Sequence, residues 1–146
     1  MKYDYIIVGA GSAGCVIANR LSEDPSNEVL LLEAGGSDRR FFIQMPIGYG
    51  VTYHQKAVNW MYMTEPSPDA DNKPSYWPRG KVMGGSSSIN AMVYVRGNPK
   101  DFDQWSEAGN PGWSYDDVLP YFKKMESWQN GPDAYRGGDG PLNVSE

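Results

Sequence analysis

Apolar residues gather into two short runs near the start of the chain, with a glycine-spaced turn and a helical pattern between them. Tyr5-Ile6-Ile7-Val8 reads as a buried strand. Gly9, Gly11 and Gly14 follow at once in the spacing G-x-G-x-x-G. Gly14, Ile17, Ala18 and Leu21 then recur at i, i+3, i+4 and i+7, which places them on one face of a helix, with Cys15 off that face. Val29-Leu30-Leu31-Leu32 reads as a second buried strand and ends at Glu33. Strand, turn, helix, strand and acid in that order predict a parallel βαβ unit built to hold a dinucleotide.

Each part of that unit has a physical task. Gly9 permits the tight turn out of the strand, Gly11 leaves room for a pyrophosphate, and Gly14 lets the helix lie close to the strand. The helix N-terminus turns its free N–H groups and positive dipole end toward phosphate. Glu33 stands where a ribose hydroxyl pair would be held and would repel a 2′-phosphate, which disfavours NADP and leaves NAD and FAD open.

Beyond Gly35-Gly36-Ser37-Asp38 the periodicity is lost. Residues 39–78, rich in Tyr, Trp, Met and Pro, predict an irregular segment of the kind that forms lids. Residues 59–65 alternate and suggest a short strand ended by Pro66 and Pro68, and residues 69–74 a polar turn. The stretch from Arg79 to Val93 carries Gly84-Gly85-Ser86-Ser87-Ser88 between the apolar Val82-Met83 and Ile89, Ala91, Met92 and Val93. A linker does not sit inside apolar sequence. This is a Gly-Gly turn opening a short helix, with hydroxyls and N–H groups facing an anion or a polar ring edge, and with Arg79 and Lys81 adding positive charge.

An extended segment, Tyr94-Val95, stops at Gly97. Asn98, Pro99 and Asp101 then supply N-cap, first turn and acid for a helix with Phe102, Trp105 and Ala108 inward, closed by Gly109. Ser114 with Asp117 starts another helix, which Pro120 is expected to break, with Tyr121, Phe122 and Met125 as an apolar stripe. Gly137-Gly138-Asp139-Gly140 turns into a strand, residues 141–145, with no evident partner.

Composition narrows the classes. The chain has 146 residues, 40% of them hydrophobic, and a net charge of −5 that disfavours nucleic acid as a partner. No apolar run is long enough to span a bilayer. Cys15, the single cysteine, cannot form an internal disulfide and suits a reducing, cytoplasmic compartment in a structural role. His54, the single histidine, has no second ligand or neighbouring carboxylate and reads as structural or surface, so no metal site and no catalytic base is assigned. Two parallel strands do not make a stable sheet, so the chain is expected to be the N-terminal part of a longer protein.

Together, Gly9-Ala10-Gly11-Ser12-Ala13-Gly14, Glu33-Ala34-Gly35, Asn59-Trp60, Thr64-Glu65-Pro66, the Gly80-to-Asn90 stretch, Gly112-Trp113-Ser114-Tyr115 and Gly137-Gly138-Asp139-Gly140-Pro141 resemble the glucose–methanol–choline (GMC) oxidoreductases. The resemblance covers essentially the whole chain and is nearest to bacterial choline dehydrogenase-like and alcohol dehydrogenase-like members. It implies an α/β fold, the N-terminal part of a Rossmann-like FAD-binding domain that is incomplete without a C-terminal remainder. Residues 1–36 would be the βαβ motif, 37–78 the lid, 79–97 a second flavin-contacting motif, and 98–146 helices and a strand leading to the substrate domain.

FAD is the implied cofactor. Gly9, Gly11, Ser12, Ala13 and Gly14 would hold the diphosphate and Glu33, with Ala34 beside it, the adenosine ribose. Met83, Gly84, Gly85, Ser87, Asn90, Ala91, Met92 and Val93 would run beneath the flavin. Some family members carry a histidine covalently attached to flavin just before this Asn; Ile89 stands there, so the FAD is expected to be non-covalent. The implied reaction is oxidation of an alcohol to an aldehyde or ketone by hydride transfer to flavin N5, with choline or another primary alcohol as substrate. The electron acceptor, oxygen, quinone or another carrier, stays open, as does a peripheral contact with the inner membrane through it. The family's histidine base lies beyond these residues, so this segment alone is expected to be inactive. An inert flavin-binding remnant and an NAD-dependent dehydrogenase are the alternatives.

Overall fold

The computed structural model describes residues 2–146. They form two compact units, one ending at Val93 and one spanning Tyr94–Glu146.

In the first unit, β1 (Tyr5–Val8), α1 (Ser12–Leu21) and β2 (Val29–Leu32) make the βαβ motif at the positions read from sequence. The strands pair in parallel, Tyr5 with Val29 through Val8 with Leu32. The helix's inner face differs from the sequence count. Gly14, Cys15, Ala18 and Leu21 are half-buried, while Ile17 is 48% exposed. The face has rotated toward Cys15, whose thiol reaches the Ala10 carbonyl at 3.2 Å.

The expected irregular segment holds more local structure than its sequence pattern shows. Helices α2 (Phe41–Gln44) and α3 (Tyr49–Thr52), joined by a 3-10 turn at Pro46–Gly48, are too short for any periodicity to register. The strand foreseen within residues 59–65 is β3 (Tyr62–Met63), paired antiparallel with β4 (Tyr76–Trp77). A core cluster of Val58, Val82 and Ile89, with Ile43 packed on it, ties this segment to the Gly-Gly stretch. Full burial of such side chains is worth about 1.5–3 kcal/mol each.

The second unit begins with α4 (Pro99–Glu107), whose first turn is held by the Asn98 side chain accepting from the Lys100 N–H at 3.0 Å. Helix α5 (Tyr115–Met125) starts with a reciprocal Ser114–Asp117 capping box. It runs unbroken through the exposed Pro120, contrary to the expected break. The proline removes one i→i−4 bond. The box fixes the helix start, and Phe122 is held beyond the proline against Phe102, with ring centroids 5.8 Å apart. Of the expected inner faces, Phe102 and Phe122 are half-buried, whereas Trp105 is 50% and Tyr121 71% exposed, and Ala108 and Met125 are exposed too.

The terminal strand does have a partner. Strand β6 (Leu142–Val144) pairs in parallel with β5 (Glu126–Trp128). β5 escapes a pattern search because its buried position is a glutamate. Glu126 is fully buried. Its Oε1 accepts from Arg136 Nη1 at 2.7 Å, and its Oε2 accepts from Arg96 and from the Gly137 N–H at 2.9 Å. Burial alone pushes this carboxyl up, but the Gly137 hydrogen bond and the Arg136 and Arg96 guanidinium groups outweigh it and hold the group below its ordinary value. The Arg96 guanidinium also lies over the Tyr135 ring at 4.5 Å.

Two predictions follow from this architecture. A carboxyl with a depressed folded pKa adds stability above its unfolded value and loses it as pH falls through the folded one. Urea unfolding of the full-length protein should therefore weaken below about pH 4.5, where unfolded glutamates begin to protonate. Glu126→Gln should flatten that decline and cost about 3 kcal/mol at pH 7, because it leaves buried arginine charge uncompensated. Secondly, the β1–β2 sheet leaves Ile6 59% and Val8 83% exposed. The 146-residue polypeptide without FAD should bind a hydrophobic dye and melt without a sharp transition.

Candidate FAD site

Two glycine turns meet in the first unit. The Gly84 N–H donates to the Ala10 carbonyl at 2.7 Å. A Cβ on Gly85, which has φ +59°, would stand 2.8 Å from the Gly11 Cα, closer than real Cβ contacts come. The Ser12 and Ser87 hydroxyls share a hydrogen bond at 2.5 Å. Behind the first turn, a Cβ on Gly14 would lie 1.9 Å from the Gly9 carbonyl oxygen, so only glycine lets α1 sit this near the strand end.

Residues 79–83 are threaded between two other segments. Gly36 bridges Val82 in parallel, with the Met83 N–H on the Gly36 carbonyl at 2.9 Å. On the other side Asn59 bridges Gly80, Trp60 N–H donates to Arg79 and Lys81 N–H to Val58, both at 2.8 Å. Asn59, 1% exposed, is the fixing point. Its Oδ1 accepts from the Met61 and Arg79 N–H groups, and its Nδ2 donates to the Tyr53 carbonyl and the Tyr76 hydroxyl. Every hydrogen-bonding position of that amide is used, as burial requires.

A cavity of about 830 Å³ opens over this junction. Of the residues singled out in sequence, it brings together Gly9, Gly11, Ser12, Ala13, Gly14, Glu33, Ala34 and Gly85. Arg79, Gly80 and Ser86, from the second motif, also line it, as do Val8, Leu32, Trp60 and Tyr62, which sequence reading missed. The alternating stretch at residues 59–65 was the available signal for Trp60 and Tyr62. Gly9 has nothing within 4 Å of a would-be Cβ, so its backbone faces open space. No side chain caps the first turn of α1. Its N–H groups, together with the Arg79 charge, suit a diphosphate.

Glu33 is already a clamp. Its Oε2 accepts from the Ala10 N–H and its Oε1 from the Gly35 N–H, both at 2.8 Å. Each oxygen retains a lone pair that can accept from a hydroxyl.

The rest of the second motif is more dispersed. Ser87, Asn90 and Met92 line a separate cavity of about 220 Å³ beside Phe42 and Tyr49, and Asn90 and Ala91 a third of about 300 Å³ beside Tyr53 and Arg79. Gly84 serves through its hydrogen bond to Ala10. Met83 and the 78%-exposed Val93 line none of the three. Ile89 is 4% exposed and belongs to the core. His54 stacks on Tyr76, with ring centroids 5.7 Å apart. Among the described residues no group of three or more His, Cys, Asp or Glu is gathered as a metal site would need.

A family model described as GMC oxidoreductase matches residues 3–146. The chain belongs to the GMC oxidoreductase family. It is 57% identical over 142 residues to an oxygen-dependent choline dehydrogenase of Vibrio vulnificus, a match covering 97% of this chain and 25% of that protein. It is 55% identical over 144 residues to the corresponding protein of Rhizobium etli, covering 99% and 26%. Among solved structures it resembles pyridoxine 4-oxidase from Mesorbium loti, with TM-score 0.89 and 40% identity over 97% of this chain and 28% of that one. It also resembles an FAD-dependent oxidoreductase from Chaetomium thermophilum, with TM-score 0.81 and 36% identity over 99% and 26%. The chain thus spans about a quarter of the length of the relatives it matches. As the N-terminal part of a GMC oxidoreductase it belongs to an FAD-binding fold, and FAD is the cofactor the cavity must fit. No helix among the described residues is long and apolar enough to cross a membrane.

The contact at Gly85 yields a direct test. Gly85→Ala places a methyl group against Gly11 at a left-handed φ, and should cost the full-length protein about 1–3 kcal/mol in urea unfolding. It should also lower the flavin content of the purified protein. Lys100→Ala, at an exposed position in α4, should leave stability within about 0.5 kcal/mol.

Proposed function

We propose that this chain is the cofactor-holding part of a flavoprotein that oxidises a small primary alcohol, choline or a relative of it, to the aldehyde. Identity above half to choline dehydrogenases, sustained along nearly the whole chain, is the observation that carries the reading. The bound flavin would supply the hydride acceptor. The chain's own residues do the holding. The uncapped start of α1 and Arg79 meet the diphosphate, Glu33 accepts from the adenosine ribose hydroxyls, and the Gly84–Gly85 turn closes the cradle. Asn90, Ala91 and Met92 extend the surface toward the flavin ring.

The remaining assignments rest on the same residues. Ile89 is packed in the core and has no nucleophilic atom, which supports a non-covalent FAD. No residue here is assigned as the base that takes the alcohol proton, and the 146 residues alone are expected to be inactive. A single half-buried thiol, Cys15, is consistent with a reducing cytoplasm.

Acid precipitation of the full-length protein should release all of its flavin into the supernatant, whereas flavin remaining in the pellet would contradict the non-covalent assignment. Glu33→Ala should weaken FAD binding about ten-fold or more, measured by flavin fluorescence titration, since it removes two backbone hydrogen bonds and the ribose acceptor together. In the same protein, choline should reduce the flavin absorbance without added nicotinamide cofactor.

A further inference from the structure

The large cavity has an aromatic wall that the diphosphate cradle does not use. Trp60 and Tyr62 are stacked nearly parallel, at 6° and 5.9 Å between centroids, and both line the cavity. They keep 42% and 50% of their surface exposed. Large flat rings left this open beside a polar cradle form a platform for another flat ring.

The backbone that carries both rings is held in place. The Trp60 main-chain N–H donates to the Arg79 carbonyl, and Asn59, its buried predecessor, is bonded on every side. The Lys81 ammonium lies 4.5 Å from the Trp60 ring centroid, a cation–π contact that restrains the indole. Tyr62 is held by β3, opposite Trp77.

The platform's place in the site decides which ring it meets. Trp60 and Tyr62 share their cavity with Glu33 and Ala34. Asn90 and Met92, which lie toward the flavin in the reading above, line the two smaller cavities, where neither aromatic ring is found. A base joined to the ribose that Glu33 holds is therefore the ring within reach.

We propose that Trp60, with Tyr62 and Lys81 beside it, is the stacking surface for the adenine of the dinucleotide. This rests on the FAD reading of the cavity. It makes the chain a reader of the adenosine half of the cofactor, able to tell FAD from FMN by a base contact in addition to the diphosphate. Stacking tolerates any flat base, so the contact adds affinity with little hydrogen-bond demand.

The test uses flavin-stripped full-length protein, titrated with FAD, ADP and FMN. Trp60→Ala should weaken FAD and ADP binding by the same factor, about 5- to 150-fold, the range of an aromatic–base stack. FMN, which lacks adenine, should bind as it does to the unaltered protein. Trp60→Phe keeps a ring and should hold ADP affinity within about three-fold. ADP should quench tryptophan fluorescence in the unaltered protein, and Trp60→Phe should abolish that quenching while binding persists. Equal weakening of FMN and FAD in Trp60→Ala, or unchanged ADP affinity, overturns the adenine assignment and leaves the FAD reading standing. Failure of the unaltered protein to bind FAD overturns both.

Discussion

Two turns of backbone must touch with nothing between them. Gly85 approaches Gly11 so closely that a methyl added at Gly85 has no room, and Gly84 donates to Ala10 beside them. That contact brings a stretch seventy residues down the chain to the mouth of the first strand. A βαβ motif alone offers a phosphate to one helix end. With the second turn seated on it, the same helix end becomes one wall of a cavity large enough for a dinucleotide. The threaded segment from Arg79 to Met83 then carries Gly36 on one side and Trp60 on the other, so the placement of the whole wall follows from the one junction.

Much of this was legible in the residues because the βαβ unit is specified locally. A four-residue apolar run, glycines at fixed spacing and a helical repeat each declare themselves within a dozen positions. The Gly-Gly turn stood out for a related reason, small polar residues bounded by apolar ones. Trp60 and Tyr62 were harder to place. They enter the cavity through Asn59, whose hydrogen bonds reach Tyr53, Tyr76 and Arg79, and no local period encodes such a hub. Exposure was misjudged on Ile17, Trp105 and Tyr121 because helical spacing says which residues share a face, not whether anything covers it.

The second unit shows the limit from another side. Strand β5 buries a charge, so a search for apolar alternation passes over it and leaves β6 seemingly alone. Glu126 is tolerable there because two guanidinium groups and a backbone N–H surround it. Pro120 misleads in the opposite direction. A strong local rule against helix is overridden by a capping box before it and aromatic packing after it. In both places tertiary partners reverse what the single residue argues.

The central claim is that the two glycine turns form one site for one extended molecule. Hydrogen–deuterium exchange of the full-length protein, with and without FAD, tests it most directly. The account predicts that peptides covering residues 9–15 and 84–88 slow together, in the same proportion as flavin is bound. Protection of the first peptide with none at the second would contradict it.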